Sequence, residues 1–183
     1  MTSLQTRKIA RDRIRAILAD DATGFNARIA GIADDYGVTV PAIDWAPESK
    51  SVYFGYIDPQ DIGKTQLQID GGDSERGTLC LAIYTSDAEN QHIEKPLTFS
   101  GIIAAHCDFY LYRRTGINVE LDDVESYADA IEDACTSCLE SSDAAWSPSV
   151  SYMTYRSTRQ PVELLTDGFR RVIPIEISLR VRA

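Results

Sequence analysis

The longest alternation of apolar and polar positions lies between residues 97 and 114, and it predicts a strand with one buried side. One set of alternate positions is wholly apolar: Ile103, Ala105, Cys107, Phe109 and Leu111. The other set is mixed: Ile102, Ala104, His106, Asp108, Tyr110 and Tyr112. Because successive side chains of a strand point to opposite sides of its sheet, the apolar set is expected to face the core.

Three further segments are typical of strands. Residues 78–86 and 150–157 are strand-length runs rich in β-forming residues, and residues 170–183 alternate strictly between apolar and polar positions. Pro174 lacks the N–H that a ladder hydrogen bond requires. We therefore expect the last strand at an edge of the sheet, or the proline near the start of that strand.

Helical spacing marks three segments. Residues 4–19 carry apolar positions on one side and basic positions on the other, and a second helix begins at Phe25 and ends before Gly37, a typical C-cap glycine. The third helix spans residues 121–140. Its apolar positions recur in steps of three and four: Leu121, Val124, Ala128, Ile131, Cys135 and Cys138.

The order of these elements predicts one α+β domain over residues 1–183. We expect a mixed, mainly antiparallel sheet with helices packed on one face. Two helices precede the sheet, and one long helix separates two strand pairs. Residues 38–77 are expected to form a long excursion with short strands that is not a packed element.

Cys135 and Cys138 form a C-x-x-C, a spacing found in zinc sites and thiol redox enzymes. Both continue the apolar stripe of the third helix, where cysteine acts as a small apolar residue. A redox pair normally opens a helix, whereas this pair lies in its last turns, where the helix dipole disfavours a thiolate. We therefore expect both thiols to be reduced, buried and metal-free.

Composition excludes several functional classes. The chain has 18 basic and 28 acidic residues and a net charge of −10, which disfavours direct binding of nucleic acid. No apolar run approaches the length of a membrane span, and charges interrupt the N-terminal residues, which predicts no signal peptide. Synthesis in the cytosol, where thiols stay reduced, is the corresponding expectation.

His106 and Asp108 lie on one side of their strand with Cα atoms about 7 Å apart, and such a pair can orient a general base. No motif places a nucleophile beside them, so we predict no catalytic residue, no metal site and no cofactor. Two alternatives stay open. One is an enzyme that uses His106 and Asp108, and the other is a regulatory domain that binds a small ligand in a closed apolar cavity.

The whole-chain pattern resembles a known family. The resemblance rests on "TRKIARDRIRAIL", "GFNARIAGIADDYGV", "YFGYIDPQDI", "LCLAIYTS", "TFSGIIAAHCDFYLYRR", "DDVESYADAIEDAC", a "WS" turn and "GFRRVIPIEISLRVR". In this order the segments resemble the tail-terminator and tail-completion proteins of tailed bacteriophages and prophages. That resemblance implies an antiparallel sheet covered by helices on one face, with no catalytic residues.

The resemblance also implies a location and partners. Such proteins form rings, commonly hexameric, at the end of the tail tube in the virion, where they join the tail to the neck and head. The expected partners are further copies of the chain, the tail-tube protein and neck or head-completion proteins. Neither nucleic acid nor a membrane is an expected partner. The residues expected at interfaces are Trp45, Tyr53, Phe54, Tyr56, Tyr110, Tyr112, Arg180 and Arg182.

Overall fold

The computed structural model describes residues 3–46, 51–54, 78–90, 101–114, 121–141, 150–165 and 168–181. The helices in these ranges are α1 (Ser3–Leu18), α2 (Phe25–Asp35) and α3 (Leu121–Glu140). The strands are β1 (Val52–Tyr53), β2 (Thr78–Asn90), β3 (Gly101–Arg114), β4 (Val150–Ser157), β5 (Glu163–Leu165) and β6 (Gly168–Val181).

The strands form one mixed sheet in the order β1-β2-β3-β6-β4, and β5 pairs with the start of β6. β1 runs parallel to β2, whereas the other described pairs are antiparallel. α3 separates the β2–β3 pair from the later strands in the sequence. The predicted α+β fold class, with two N-terminal helices and one long helix between strand pairs, is confirmed.

The helices and one side of the sheet share a single core, and we call that side of the sheet the first face. The apolar set predicted on β3 is fully buried there, and the described members of the α3 stripe are buried with it. Phe25 of α2 stacks on Phe109 of β3 with ring centroids 5.1 Å apart. Fully burying a side chain such as Phe109 or Ile131 contributes about 1.5–3 kcal/mol to stability.

A tight turn fixes the angle between α1 and α2. The Asp20 carboxylate accepts hydrogen bonds from the backbone N–H groups of Ala22 and Thr23 and from the Thr23 hydroxyl, and these bonds lower its pKa. A Cβ atom at Gly24 would lie 2.5 Å from the Asp20 carbonyl oxygen, so the turn requires glycine there.

The predicted glycine cap of α2 is confirmed. Gly37 has a φ of 69°, the left-handed conformation that glycine adopts without strain. Its N–H donates to the Asp34 carbonyl at 3.0 Å, and the N–H of Val38 donates to the Ala33 carbonyl at 2.9 Å. These two bonds form a Schellman motif, which satisfies carbonyl groups at the end of the helix.

The expectation that Pro174 marks an edge strand or lies near the start of its strand is wrong. β6 lies between β3 and β4, and Pro174 is in its middle, opposite Asp108. The carbonyl oxygen of Pro174 accepts from the Thr158 N–H at 3.4 Å on the side away from β3, just beyond the end of β4. The N–H and C=O groups of a strand residue point to the same side, so the N–H that Pro174 lacks would also point away from β3. No hydrogen bond between β6 and β3 is therefore lost.

The expectation that the 38–77 excursion is not a packed element is wrong for its first part. Residues 38–46 have no regular secondary structure, yet Val38 and Ile43 belong to the main core and Trp45 packs against it. The Asn26 side-chain amide accepts from the Ile43 N–H at 2.9 Å and donates to its carbonyl at 2.7 Å. The Asn26 side chain therefore bonds both backbone groups of Ile43, as a neighbouring strand would, and leaves neither of them without a hydrogen bond. Residues 55–77 lie outside the described residues.

All four cysteines are buried and none of them forms a disulfide, as the helical stripe predicts for Cys135 and Cys138. Cys107 of the first face hydrogen-bonds with Cys135, and this contact, together with burial, holds the pKa of the Cys135 thiol well above its usual range. Burial also raises the pKa of Cys138 to about 11. Both groups are therefore neutral thiols at physiological pH, which makes them poor nucleophiles.

Candidate functional site

The side of the sheet that faces away from the helices, which we call the second face, carries the polar side chains of the central strands. Tyr84 of β2, His106 of β3 and Glu176 of β6 lie directly opposite one another. Arg156 of β4 continues this row beyond Glu176. Side chains opposite one another on antiparallel strands are close enough to interact, so the four form one polar band across the sheet.

A β-bulge positions a serine beside the histidine of this band. The register of β2 shifts between Thr85 and Asp87, so Ser86 is the extra residue and no residue of β3 lies directly opposite it. Its Oγ lies 2.7 Å from Nε2 of His106. The Tyr84 ring stacks on the imidazole with centroids 4.7 Å apart and planes 11° from parallel, which fixes the ring plane. Bulges commonly redirect a side chain in this way.

Asp108 is the buried carboxylate of the second face, with 5% of its surface exposed. Its Oδ2 accepts a hydrogen bond from the Tyr84 hydroxyl at 2.8 Å, while Oδ1 is buried without a partner. Burial raises the pKa of Asp108, and the Tyr84 hydrogen bond and the nearby His106 act in the opposite direction. The neutral acid is thus favoured more strongly than in water.

These contacts give Ser86 and His106 the geometry of a nucleophile and its base, but they do not complete a triad. In a triad the carboxylate accepts a hydrogen bond from the second imidazole nitrogen. Here the hydrogen bond that the structure describes for Asp108 comes from Tyr84. The arrangement can exchange a proton between serine and imidazole, and no described carboxylate hydrogen-bonds to the imidazole.

Sequence reasoning identified His106 and Asp108 but missed Ser86 and Tyr84. Both lie in the predicted strand 78–86, and Tyr84 has the alternation of a second-face position. The missing information was the register between β2 and β3, which decides which side chains meet across the strands. The bulge at Ser86 has no signature in its local sequence.

The residues predicted at interfaces occupy different environments. Tyr110 is 3% exposed and packs with Cys80 and Ala82 in a small second-face cluster, against which Tyr53 also packs. Tyr112 is half-buried and Arg180 is exposed, and both lie on the second face. Trp45 packs against the main core. Tyr56 and Arg182 lie outside the described residues.

Phe54 is an exposed aromatic residue that lies against α1. It follows β1 at one edge of the sheet, and 44% of its surface is exposed. The guanidinium carbons of Arg11 and Arg15 on α1 lie 4.7 and 5.2 Å from the centroid of its ring. These distances are typical of cation–π contacts, which hold the aromatic ring at the surface against α1.

The described part of the chain contains neither a metal-binding cluster nor a membrane-spanning helix. Within residues 3–46, 51–54 and the later described ranges, no three His, Cys, Asp or Glu side chains are grouped so that they could hold a metal ion. None of the helices in the described ranges is both long enough and apolar enough to span a bilayer.

Comparison with known proteins gives no family assignment. Neither the protein-family models nor the curated proteins include a match to this chain.

Proposed function

We propose that the protein is an assembly protein of a tailed bacteriophage or prophage. In this proposal it associates into a ring at the end of the tail tube and connects the tail to the neck. The observation that carries the proposal is the one-sided layer, in which α1, α2 and α3 share a core with the first face of a mixed sheet. That architecture is what the resemblance to tail terminators implies.

The surface composition of the second face supports a role in binding protein. The polar band combines tyrosine, histidine, glutamate and arginine, and exposed Arg180 lies on the same face. At the β1 edge, Phe54 adds an exposed aromatic side chain held by two arginines. Aromatic residues and arginine are enriched at protein interfaces and dominate their energetics.

The net charge supports a position around a DNA channel. A ring through which DNA passes must not retain the DNA, and a protein with a net charge of −10 repels the phosphate backbone at long range. The proposed partners are proteins and not DNA: further copies of this chain, the tail-tube protein and the neck proteins.

Genetic removal tests the proposal in the host of the phage or prophage. A strain that lacks the gene is expected to release overlong tails or tails without heads, seen by electron microscopy, and the wild-type gene in trans is expected to restore virions. Phe54→Ala tests the β1 edge, since truncation of an exposed ring leaves the core intact. Normal virions from the strain without the gene would refute the proposal.

A second candidate function is catalysis by the Ser86–His106 pair. The distance of 2.7 Å between Oγ and Nε2 favours it, because an imidazole at that distance can accept the serine proton. Purified protein is expected to hydrolyse an activated ester such as p-nitrophenyl acetate if this candidate is correct. Loss of a measurable turnover in both Ser86→Ala and His106→Ala would establish the enzyme and would refute a purely structural role.

A further inference from the structure

α1 is a basic helix, although the protein as a whole is acidic; its Lys8 is exposed, and Arg11 and Arg15 are half-buried. α1 contains five basic residues and one acidic residue, in a chain with a net charge of −10. Lys8, Arg11 and Arg15 recur at spacings of three and four, so they share one side of the helix. The exposed Phe54 ring lies against two of them. We call Lys8, Arg11, Arg15 and Phe54 the basic patch.

α3 has the opposite character. It contains seven acidic residues and no basic residue. We call Asp129, Glu132 and Asp133 the acidic patch. Arg159 forms ion pairs with Asp129 and Glu132, while Asp133 accepts a hydrogen bond from the Tyr36 hydroxyl at 2.5 Å. One arginine therefore balances only part of the charge that the three carboxylates carry.

Tyr36 is a neutral hydrogen-bond donor to the acidic patch. Its hydrogen bond to Asp133 and its partial burial are the two largest causes that raise the pKa of Tyr36 to about 12, and the charges of Asp133, Asp129 and Glu132 add to the shift. The hydroxyl therefore keeps its proton at physiological pH and continues to donate it to Asp133.

The two patches lie on different helices, and their ion pairs within the molecule are separate. α1 packs mainly on β2, and Phe54 follows β1, the described neighbour of β2. α3 contacts α1 and β6. Arg11 of the basic patch pairs with Asp12, whereas Asp129 and Glu132 of the acidic patch pair with Arg159. Among the described residues, the charges of the two patches therefore do not pair with each other within one molecule.

We propose that the basic patch of one copy docks on the acidic patch of the next copy. This inference rests on the proposed function, because it names the contact through which copies of the chain assemble. The contact joins two different surfaces of the same chain, so it is heterologous and repeats head to tail. Repetition produces a closed ring when the rotation between copies closes, and an open filament when it does not.

The physical basis of the contact is charge complementarity with an aromatic centre. Opposite charges steer the copies and fix their orientation, while Phe54 and the two arginines that hold it supply a surface that excludes water. Because much of the attraction is between exposed charges, salt weakens it: the screening length is about 10 Å at 0.1 M and about 3 Å at 1 M ionic strength. Association is therefore expected to decrease as ionic strength rises.

Charge inversion gives a direct test by sedimentation velocity at low ionic strength. One variant carries Arg11→Glu and Arg15→Glu, and the other carries Asp129→Lys and Asp133→Lys. Each variant alone is expected to associate at least about tenfold more weakly than the wild type, because like charges then meet at every contact. An equimolar mixture is expected to recover association, since alternating copies place opposite charges together at every contact.

Two controls keep the test decisive. Arg13→Glu makes the same change of charge on α1 as Arg11→Glu alone, but outside the basic patch, and it is expected to associate like the wild type, whereas Arg11→Glu alone is expected to associate more weakly. Circular dichroism and thermal melting verify that each variant is folded. If the double variant of α3 is not folded, Arg11→Glu and Asp133→Lys provide the same mixing test with single changes.

Three results would overturn the inference: wild-type copies that stay monomeric at low salt, an Arg11→Glu, Arg15→Glu variant that associates normally, or a mixture that recovers nothing. The proposed function is decided separately by the tails released from the strain without the gene. Normal association of the variants combined with defective tails would place the contact elsewhere on the chain and would leave the assembly role standing.

Discussion

The pair formed by Arg171 and Glu125 allows a sharp test of how β6 is attached to α3. The Arg171 side chain is 2% exposed, and its two terminal nitrogens donate to the two carboxylate oxygens of Glu125 at 2.7 and 3.1 Å. Glu125 is 52% exposed and also lies 3.4 Å from Arg159. The substitution Glu125→Ala leaves the guanidinium of Arg171 buried without its carboxylate partner.

The expected loss of stability follows from this asymmetric burial. Removal of one partner of a fully buried pair costs about 3–5 kcal/mol, because the remaining charge is uncompensated. Water reaches the exposed side of Glu125 and screens the pair, so we expect a smaller loss of about 2–3 kcal/mol. For a domain of this size each kcal/mol corresponds to about 2–4 °C, so the melting temperature should fall by about 4–12 °C.

Thermal and urea unfolding measure the effect, with one matched control. Glu163→Ala removes a glutamate of nearly equal exposure, 54%, whose partner on β6, Arg170, is 15% exposed, compared with 2% for Arg171. Because water still reaches the guanidinium of Arg170, the loss should be about 0–1 kcal/mol. A double variant, Glu125→Leu with Arg171→Met, replaces both charges by apolar groups and should recover most of the loss. Equal losses in Glu125→Ala and Glu163→Ala would show that burial of the arginine does not set the cost of losing its carboxylate.

Other predictions concern the core, the thiols, the second face and the β1 edge. Ile131→Asp should unfold the domain in a circular-dichroism melt, because an unpaired buried carboxylate costs several kcal/mol of a total of about 5–15; a melt like that of the parent would show the α3 stripe to be exposed. Cys135→Ala and Cys138→Ala should each cost on the order of 1 kcal/mol, and both native thiols should react with Ellman's reagent only after unfolding. Elemental analysis that found near-stoichiometric zinc would overturn the metal-free prediction. Asp108→Asn should not destabilise the protein at pH 7. Burial raises the pKa of Asp108 in the folded state above its value in the unfolded state. The protonated carboxyl therefore contributes stability below the unfolded-state pKa, and this contribution is lost as pH rises through the folded-state pKa. A neutral-pH loss of stability in Asp108→Asn, with no loss at low pH, would contradict this sign. Phe54→Ala removes two contacts between the ring and arginine, so it should cost about 1–2 kcal/mol of stability and should weaken self-association; unchanged sedimentation would remove this ring from the contact.

Local patterns were sufficient to predict most of the fold. The alternation from Ile103 to Leu111 gave the buried side of β3, because a strand with one wholly apolar side has a single stable orientation. The stripe of α3 and the glycine cap of α2 were equally readable, since both depend on residues within a few positions of one another.

The features that local patterns did not predict depend on contacts between distant residues. Pro174 is tolerated in the middle of β6 because its nitrogen points away from β3, toward the chain just beyond the end of β4, where no ladder hydrogen bond is required of it; only the sheet order reveals this. Residues 38–46 pack because Asn26 satisfies the backbone of Ile43, a contact across 17 positions. The Ser86–His106 pair likewise needs the strand register and a bulge.

Electron microscopy of the purified protein mixed with purified tail tubes shows directly whether the protein caps a tube as a ring. We expect ring-shaped caps at one end of each tube, built from several copies of the chain. We also expect these caps to disappear when Arg11 and Arg15 are both replaced by glutamate. Tubes with bare ends, beside protein that sediments as a monomer at every concentration and salt, would contradict it.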